Sequence, residues 1–267
     1  MENRFRPPPE TLTCIVRWSG SAMKAHAEAL AGQLNLAAHG PDSGSAELAL
    51  EVTADGLQLR DLRTGAPGAV RVDLLHGDGG RLSRAGGQSE LLGRAVGARH
   101  GRRPTVVDAT AGLGGDASVL AAIGCRVTMV ERAPVVAALL RDGLRRRHEQ
   151  AAPDGPYGQL TLVEADAAEW LAQLPVTERP DVVYLDPMYP DTGKTARSRK
   201  EMQLLQALLG EEPEPEALLN AALGTARNRV VVKRPRKAPA LGGREPSHVI
   251  GGKSTRFDVY MVESGGG

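Results

Sequence analysis

Aromatic side chains are scarce in this sequence, at 3% of its 267 residues, with four tyrosines and two each of tryptophan and phenylalanine. The core of the folded protein must therefore be built from aliphatic side chains. The hydrophobic fraction of 41% is ordinary for a globular protein and is enough to build one. Each tyrosine is correspondingly informative, because few other rings are available.

Cysteine is also rare, and neither Cys14 nor Cys125 has a second Cys or a His at metal-ligand spacing. We expect both thiols to be reduced and buried, as is usual in the cytoplasm, and we expect no metal. No apolar run reaches the length needed to span a membrane. The polar, proline-rich residues 1–10 are unlike a signal peptide. These absences predict a cytoplasmic protein.

A large excess of one charge is missing as well. The sequence has 33 Lys and Arg against 32 Asp and Glu, a formal net charge of +1. A protein with this balance cannot attract a nucleic acid through its overall charge, so such a partner must be bound by local basic patches. The oligomeric state cannot be inferred from these numbers.

Two patterns divide the chain near residue 80. The first part has an apolar strand, an alanine-rich helix, a hairpin around Ala-Asp-Gly and a third strand of the same meander, predicted at 13–18, 21–34, 46–52 with 57–62, and 69–74. We therefore predict a small N-terminal α/β subdomain over residues 1–80. A glycine-rich stretch follows it and leads into the second part.

From about residue 88, strands and helices alternate. Strands are predicted at 105–107, 126–130, 160–163, 182–185, 229–232 and 257–262, and helices at 90–96, 117–122, 135–147, 167–174, 200–209 and 214–223. This alternation predicts a parallel sheet with helices on both faces, which we assign to residues 81–267 as a doubly wound, Rossmann-like domain. Ligands of such sheets bind outside the carboxyl ends of the strands.

The strongest local signal is the segment VVDATAGLGGD at residues 106–116. A buried strand runs into a turn built on Gly112, Gly114 and Gly115, where the backbone must turn sharply and approach a ligand without Cβ atoms in the way. Glu131 follows the second strand, where an acid bonds ribose hydroxyls in nucleotide-binding sheets. The segment therefore predicts a nucleotide-cofactor site.

This turn alone does not choose the cofactor. Gly112, Gly114 and Ala117 also satisfy the dinucleotide pattern G-x-G-x-x-A, so an NAD-dependent oxidoreductase is a competing hypothesis. Two acids favour S-adenosylmethionine. Asp108 can face the cationic amino-acid end of that cofactor, whereas Asp108 and Asp116 together would repel a pyrophosphate.

A further acid, Asp166, follows the third predicted strand. In sheets that bind S-adenosylmethionine this position faces the adenine, where a carboxylate accepts a hydrogen bond from the exocyclic amine. The carboxylate could equally cap the helix that follows. Both interpretations stay open, and they are compatible with each other.

The segment VVYLDPMYP at residues 182–190 ends the fourth predicted strand, across the cleft from the glycine turn. A base amino nitrogen is a poor nucleophile because its lone pair is delocalised into the ring, so it must be held and aimed. We predict that the Asp186 carboxylate and the Pro187 carbonyl hold its hydrogens and that Tyr189 stacks on the base, a contact worth roughly 1–3 kcal/mol. The motif favours methylation of an exocyclic base amine.

Cations follow two strands at the same predicted edge of the sheet. Lys233 and Arg234 come at the end of the fifth strand, and Lys194 follows the motif that contains Asp186. We expect these three side chains to bind RNA phosphates, which would make the affinity for RNA depend on salt. A basic run at residues 99–103 precedes the first strand of the sheet, and its role is ambiguous.

Six segments together resemble the ribosomal RNA small subunit methyltransferase J family, over roughly residues 45–262. They are DATAGLGGD, VERAPVVAALL, YLDPMYP, KEM, VVKRP and RFDVY, which begin at Asp108, Val130, Tyr184, Lys200, Val231 and Arg256. That family methylates guanine N2 in 16S ribosomal RNA. The resemblance implies a class I methyltransferase sheet, S-adenosyl-L-methionine as cofactor, and 16S ribosomal RNA or the small ribosomal subunit as partner.

The resemblance also implies contacts with the cofactor. They fall on Gly115, Asp116, Glu131, Arg132, Asp166, Ala167 and Asp186. Asp186 would then lie between the cofactor and the substrate amine and serve both. Three alternatives stay open: an NAD-dependent oxidoreductase, a non-catalytic RNA-binding assembly protein with the same fold, and the same chemistry on a DNA base.

Overall fold

In the computed structural model the described residues are 12–41, 45–63, 68–74, 88–99, 101–150, 159–187, 204, 208 and 215–262. The chain forms two compact units. One contains residues 1–71 and 194–212, and the other contains residues 72–193 and 213–267. The predicted boundary at residue 80 lies outside the described residues, and the division of the chain there stays a prediction.

The smaller unit is an α/β arrangement with a four-stranded sheet. Its elements are β1 (Cys14–Trp18), α1 (Lys24–Leu34), β2 (Ala38–His39), β3 (Leu48–Thr53) and β4 (Gly56–Asp61). The strand order is β2-β1-β3-β4, with β1 parallel to both β2 and β3 and only β3 and β4 antiparallel. The predicted hairpin is confirmed. The sequence did not predict β2, which runs parallel to β1 because α1 returns the chain between them.

The third strand of the predicted meander, expected at residues 69–74, is wrong. Val70 makes a single bridge with Leu59, through backbone bonds of 2.7 and 2.8 Å. Val72 and Leu74 are instead buried in the larger unit. A Cβ at Gly143 would lie 2.5 Å from Cγ1 of Val72, so a glycine in a helix makes room for this segment and removes it from the sheet.

The larger unit alternates helices and strands, as predicted. Its described elements are α2 (Gln88–Val96), β5 (Thr105–Asp108), α3 (Gly115–Ala122), β6 (Arg126–Glu131), α4 (Pro134–Gln150), β7 (Leu160–Glu164), α5 (Ala167–Gln173), β8 (Val182–Leu185), α6 (Pro215–Thr225), β9 (Arg229–Pro235), β10 (His248–Gly251) and β11 (Thr255–Met261). The sequence did not predict β10. The helix predicted at 200–209 lies almost wholly outside the described residues.

The seven strands of this unit form one sheet in the order β10-β11-β9-β8-β5-β6-β7. The five strands from β9 to β7 are parallel, and β11 is antiparallel to both of its neighbours. The direction of winding reverses between β5 and β8, because β6 and β7 extend the sheet on one side and β9 on the other. Ligands bind at such a switch point, outside the carboxyl ends of the strands.

Helices cover both faces of this sheet. Val183 and Leu185 of β8 belong to a buried cluster with side chains of α5 and α6. Successive residues of a strand point to opposite faces, and the hydroxyl group of Tyr184 accordingly bonds Asp116 of α3. The predicted doubly wound, Rossmann-like fold with a small N-terminal α/β unit is therefore confirmed, with an antiparallel pair added at one edge of the larger sheet.

Candidate functional site

The turn after β5 reaches α3 through two glycines in the left-handed region, Gly112 at φ 51° and Gly114 at φ 74°. A Cβ at Gly114 would lie 2.7 Å from Cδ2 of Leu74 and 3.1 Å from Cδ2 of Leu140. At Gly112 the nearest atom would be the carbonyl oxygen of Thr110, at 4.0 Å. Packing therefore requires Gly114, whereas Gly112 leaves open space beside the turn. Gly115 follows as the first residue of α3.

Two carboxylates and an ammonium group meet at the carboxyl edge of the sheet. Nζ of Lys233 donates to Oδ2 of Asp116 at 2.6 Å and to Oδ2 of Asp186 at 2.7 Å. The hydroxyl group of Tyr184 donates to the same Asp116 oxygen at 2.6 Å. The Lys233 side chain is only 13% exposed, so these charges interact more strongly than they would in water. We call these four residues the carboxylate–lysine network.

Asp108, the last residue of β5, adds a third carboxyl group. Its Oδ1 accepts a bond from the backbone N–H of Thr110 at 3.2 Å. Burial and the charge of Asp116 raise the pKa of Asp108 to about 8, with a further contribution from Asp186 and partial opposition from Thr110 and Lys233. Asp108 therefore holds a proton near neutral pH until a further cation comes close.

The protonation states of the two donors in the network follow from the same charges. Burial alone would lower the pKa of Lys233, but Asp116 and Asp186 raise it by more, so the amine stays charged. Burial, together with the charges of Asp116 and Asp186, raises the pKa of Tyr184 well above its ordinary value. The phenol therefore keeps its proton and remains a donor.

Asp186 is fixed from two sides, as the first residue after β8. Its backbone N–H donates to Oγ1 of Thr110 at 2.6 Å, and its carboxylate accepts from Lys233. Pro187 is buried beside it. Tyr189 lies outside the described residues, so base stacking on Tyr189 stays a prediction, as do the catalytic roles of Asp186 and Pro187.

Glu131, at the end of β6, lies beside the glycine turn. Its Oε1 accepts from the backbone N–H of Ala133 at 2.8 Å, and the backbone N–H groups of Gly112 and Arg132 also bond its carboxylate. Burial raises the pKa of Glu131 despite these bonds. Glu131 thus lies where a ribose-binding acid is expected. Arg132 beside it is exposed, and the contacts of both residues with a cofactor stay predictions.

Asp166 caps α5. Its Oδ1 accepts from the backbone N–H groups of Ala168 and Glu169 at 2.9 and 3.1 Å, and Ala167, the first residue of the helix, is buried. The capping interpretation is therefore confirmed. The contact of Asp166 with adenine and that of Ala167 with the cofactor stay predictions.

Two of the three cations expected to bind RNA are placed differently from the prediction. Strand β9 continues to Pro235, so Lys233 and Arg234 lie within it rather than after it. The Arg234 side chain is buried, and its Nε and Nη2 donate to the carbonyl oxygen of Pro239 at 3.2 and 2.9 Å. Burial of both side chains weighs against direct phosphate contact. Lys194 lies outside the described residues.

Sequence analysis missed two residues that shape this site, Tyr184 and Thr110. Tyr184 is fully buried within β8, and a buried tyrosine hydroxyl requires a partner, which is a signal that the sequence did offer. Thr110 lies inside the glycine turn and links it to Asp186. The pairing of β5 with β8 creates that link, and no local pattern shows it.

Other expectations concern metals, membranes and thiols. In the described part of the chain, no group of three or more His, Cys, Asp or Glu residues could hold a metal ion. No helix among the same residues is long and apolar enough to cross a bilayer. Both cysteines are free thiols. Cys125 is buried as expected, whereas Cys14 is only partly buried.

Comparison with known proteins identifies the family. Residues 30–262 match the model of the family described as "Putative SAM-dependent methyltransferase". The chain is 47% identical over 248 residues to ribosomal RNA small subunit methyltransferase J of Thioalkalivibrio sulfidiphilus, covering 92% of this chain and 97% of that one. The protein of the same name from Pseudomonas fluorescens is 46% identical over 242 residues, covering 90% and 92%.

A solved structure agrees with these relatives. The crystal structure of a SAM-dependent methyltransferase from Neisseria gonorrhoeae matches with a TM-score of 0.72 and 37% identity, covering 95% of this chain and 98% of that one. The predicted enzyme class, a methyltransferase with S-adenosylmethionine as cofactor, is confirmed over the NAD-dependent alternative. The chain belongs to the ribosomal RNA small subunit methyltransferase J family of SAM-dependent methyltransferases.

Proposed function

We propose that this enzyme transfers a methyl group from S-adenosylmethionine to the exocyclic N2 amine of a guanosine in small-subunit ribosomal RNA. One observation carries the proposal: Asp186 is held at the switch point of the sheet, between Thr110 of the glycine turn and Lys233 of β9. A carboxylate fixed there can hold an amine beside the cofactor turn. Such an RNA substrate would place the enzyme in the cytoplasm.

The described residues fit this cofactor. S-adenosylmethionine supplies an electrophilic methyl group on a cationic sulfonium, and it also carries an ammonium group. Asp108, Asp116 and Asp186 bring three carboxyl groups together at the carboxyl edge of the sheet, and carboxylates there attract a cationic ligand. Gly112 leaves open space beside these groups.

Asp186 is the residue that would orient the substrate amine. One of its oxygens accepts from Lys233 at 2.7 Å, and an ionised carboxylate has about four acceptor sites in all. Hydrogen bonds from the amino group to this carboxylate would turn the nitrogen lone pair toward the methyl group. Such positioning converts a poor nucleophile into a reactive one without any metal.

Lys233 would then act as a positioning residue rather than as an RNA contact. Its ammonium group lies between Asp116 and Asp186 at 2.6 and 2.7 Å. It would hold both carboxylates in place and fix the orientation of Asp186. Tyr184 supports the same arrangement, because its hydroxyl group occupies one oxygen of Asp116 and so restricts the rotation of that carboxylate.

The choice of ribosomal RNA rests on the relatives, whose printed names specify the small ribosomal subunit. The choice of guanine N2 rests on the family resemblance. A transfer assay tests the substrate: the full chain with labelled S-adenosylmethionine should label 16S RNA in small subunits that lack the modification, and it should leave large subunits unlabelled. Equal labelling of both subunits, or of neither, would refute the assignment.

A calorimetric titration separates the catalytic proposal from its first alternative. We expect S-adenosylhomocysteine to bind and NAD not to bind, because the Asp116 carboxylate beside the glycine turn would repel a pyrophosphate. Binding of NAD without S-adenosylhomocysteine would favour an oxidoreductase. A chain that binds S-adenosylhomocysteine and RNA but transfers no methyl group would be the non-catalytic assembly protein.

A further inference from the structure

A second charged region lies at the opposite edge of the larger sheet, where the parallel strands begin. Five arginines gather there, in the loop before β5 and at the starts of β6 and β9. We call them the amino-edge arginines, and they are Arg99, Arg102, Arg103, Arg126 and Arg229. All but the partly buried Arg229 are exposed. The proposed methylation chemistry uses none of them.

The loop after α2 wraps around Arg229. Nη1 of Arg229 donates to the carbonyl oxygen of Ala95 at 3.3 Å, and a Cβ at Gly97 would lie 3.2 Å from Cζ of the same guanidinium. Backbone bonds from Arg99 to Gly97 and from Arg102 to Arg99 fold the loop back on itself. The fold thus holds Arg99 and Arg102 close to Arg229.

The remaining two arginines continue this region toward β6. The side chain of Arg103 lies against Gly124, where a Cβ would come within 2.7 Å of Nε, and Arg103 Nη1 donates to the carbonyl oxygen of Arg102 at 3.0 Å. Arg126 begins β6 and pairs in register with Thr105 of β5. The five positive charges therefore form one continuous region.

Among the described residues, no acid forms an ion pair with this region. None of the five arginines has a carboxylate within ion-pair distance among the described residues. Asp181, which precedes β8, accepts bonds from the backbone and side chain of Thr105 and from the Asn228 amide. Burial, and then the charges of Arg102 and Arg99, lower the pKa of Arg229. Repulsion between these arginines therefore destabilises the folded protein, and a bound anion would relieve it.

We infer that the amino-edge arginines bind the phosphate backbone of the substrate RNA, at a surface separate from the methyl-transfer site. The inference rests on the proposed ribosomal RNA substrate. Lys233 and Arg234, the cations at the carboxyl edge, have partners inside the protein. A protein of net charge +1 must gather its RNA-binding charge locally. Four of the five amino-edge arginines are exposed, and guanidinium groups are suited to bidentate phosphate contacts.

The two edges are separated by the length of the strands. Arg229 and Lys233 are four residues apart on β9, a distance of about 13 Å along a strand. A single nucleotide cannot reach from one edge to the other, whereas a folded RNA or a ribosomal subunit can. The arginines would therefore set affinity for the large substrate without changing the chemistry at Asp186.

The test compares two double variants of the full chain that remove the same charge. In Arg99→Gln/Arg102→Gln both changes fall in the region. In the control, Arg141→Gln/Arg145→Gln, they fall on exposed arginines of α4 that already pair with acids. Binding of unmodified 16S RNA is measured from 50 to 300 mM KCl, and melting temperatures confirm that both variants fold.

The amino-edge variant should weaken RNA binding and reduce the slope of log affinity against log salt by about 2, one for each arginine that no longer binds a phosphate. Its KM for RNA should rise, with kcat and the KM for S-adenosylmethionine unchanged. The control should match the wild type. A slope and affinity equal to those of the control would overturn the inference. The binding measurement does not require methyl transfer. If the protein failed to methylate 16S RNA, the proposed function would be refuted, but the comparison of the two variants in RNA binding would still test the inference.

Discussion

At the scale of single residues, the site is organised by Lys233. The sequence shows a cation at the end of an apolar strand and predicts a phosphate contact. The folded chain places that ammonium group between Asp116 and Asp186, two acids that are 70 residues apart in sequence. No local pattern reveals this, because the pairing of β8 with both β5 and β9 creates the proximity.

The role of Asp186 is tested by Asp186→Ala. We expect kcat to fall at least about 10²-fold, because the substrate amine loses the group that orients it, while affinity for 16S RNA stays close to that of the wild type. Glu164→Gln is a matched control, since Glu164 also ends a parallel strand at the carboxyl edge but lies on the exposed edge strand. Full activity in Asp186→Ala would remove Asp186 from the mechanism.

Lys233→Met separates a positioning residue from an RNA contact. The variant leaves two carboxylates without their shared ammonium group, and breaking a buried ion pair costs about 3 kcal/mol of folding stability or more. We expect a lower kcat and a lower melting temperature, with an unchanged salt slope for RNA binding. The exposed Lys237→Met serves as control. A salt slope reduced by about 1 would restore the phosphate contact that the sequence suggested.

Asp108 predicts a pH dependence of stability. Its pKa of about 8 in the folded protein exceeds the ordinary value of 3.8, so between these values the folded chain keeps a proton that the unfolded chain releases. The contribution of Asp108 to the free energy of unfolding is therefore lost as pH rises from about 4 to 8. Melting temperatures of wild type and Asp108→Asn across this range test it. The asparagine variant should show the shallower decline, and parallel curves would contradict the account.

At the scale of elements, the sequence predicts a strand or helix correctly where the spacing of apolar residues and the flanking turn residues indicate the same element. The strands β5 to β9 were found because buried parallel strands are continuous apolar runs flanked by glycine and polar turns. The sequence predicts that β9 ends at residue 232, because Lys233 and Arg234 resemble loop residues. In the structure both residues continue the strand. The two-residue β2 and the exposed β10 carry too little apolar pattern to be seen.

The two left-handed glycines of the turn should respond differently to alanine. Gly114→Ala adds a Cβ among buried side chains. We therefore expect overpacking to cost roughly 1–3 kcal/mol of folding stability, in addition to about 1–2 kcal/mol for the left-handed backbone. Gly112→Ala incurs the strain alone but narrows the open space beside the turn. Thermal melting should show that Gly114→Ala lowers the melting temperature more than Gly112→Ala does. Calorimetry should show that Gly112→Ala loses more affinity for S-adenosylhomocysteine than Gly114→Ala does, relative to the stability that each variant loses. Identical behaviour would contradict this division.

At the scale of the whole molecule, the sequence predicted the architecture better than the pairing of strands. Alternating helices and strands identify a doubly wound sheet, but the parallel pairing in the smaller unit and the departure of Val72 and Leu74 from it depend on contacts distant in sequence. The net charge is close to zero, but the charged side chains of the larger sheet are unevenly distributed. Asp108, Asp116 and Asp186 lie at its carboxyl edge, and the amino-edge arginines lie at the opposite edge.

Identification of the modified nucleoside is the decisive test of whether the enzyme methylates a guanine amine. Small subunits that lack the modification are treated with the full chain and labelled S-adenosylmethionine, and their 16S RNA is digested to nucleosides for mass analysis. We expect label in N2-methylguanosine with the wild type and no label when Asp186→Ala replaces it. Label in a methylated adenosine or cytidine, or on a ring nitrogen of guanine, would contradict it.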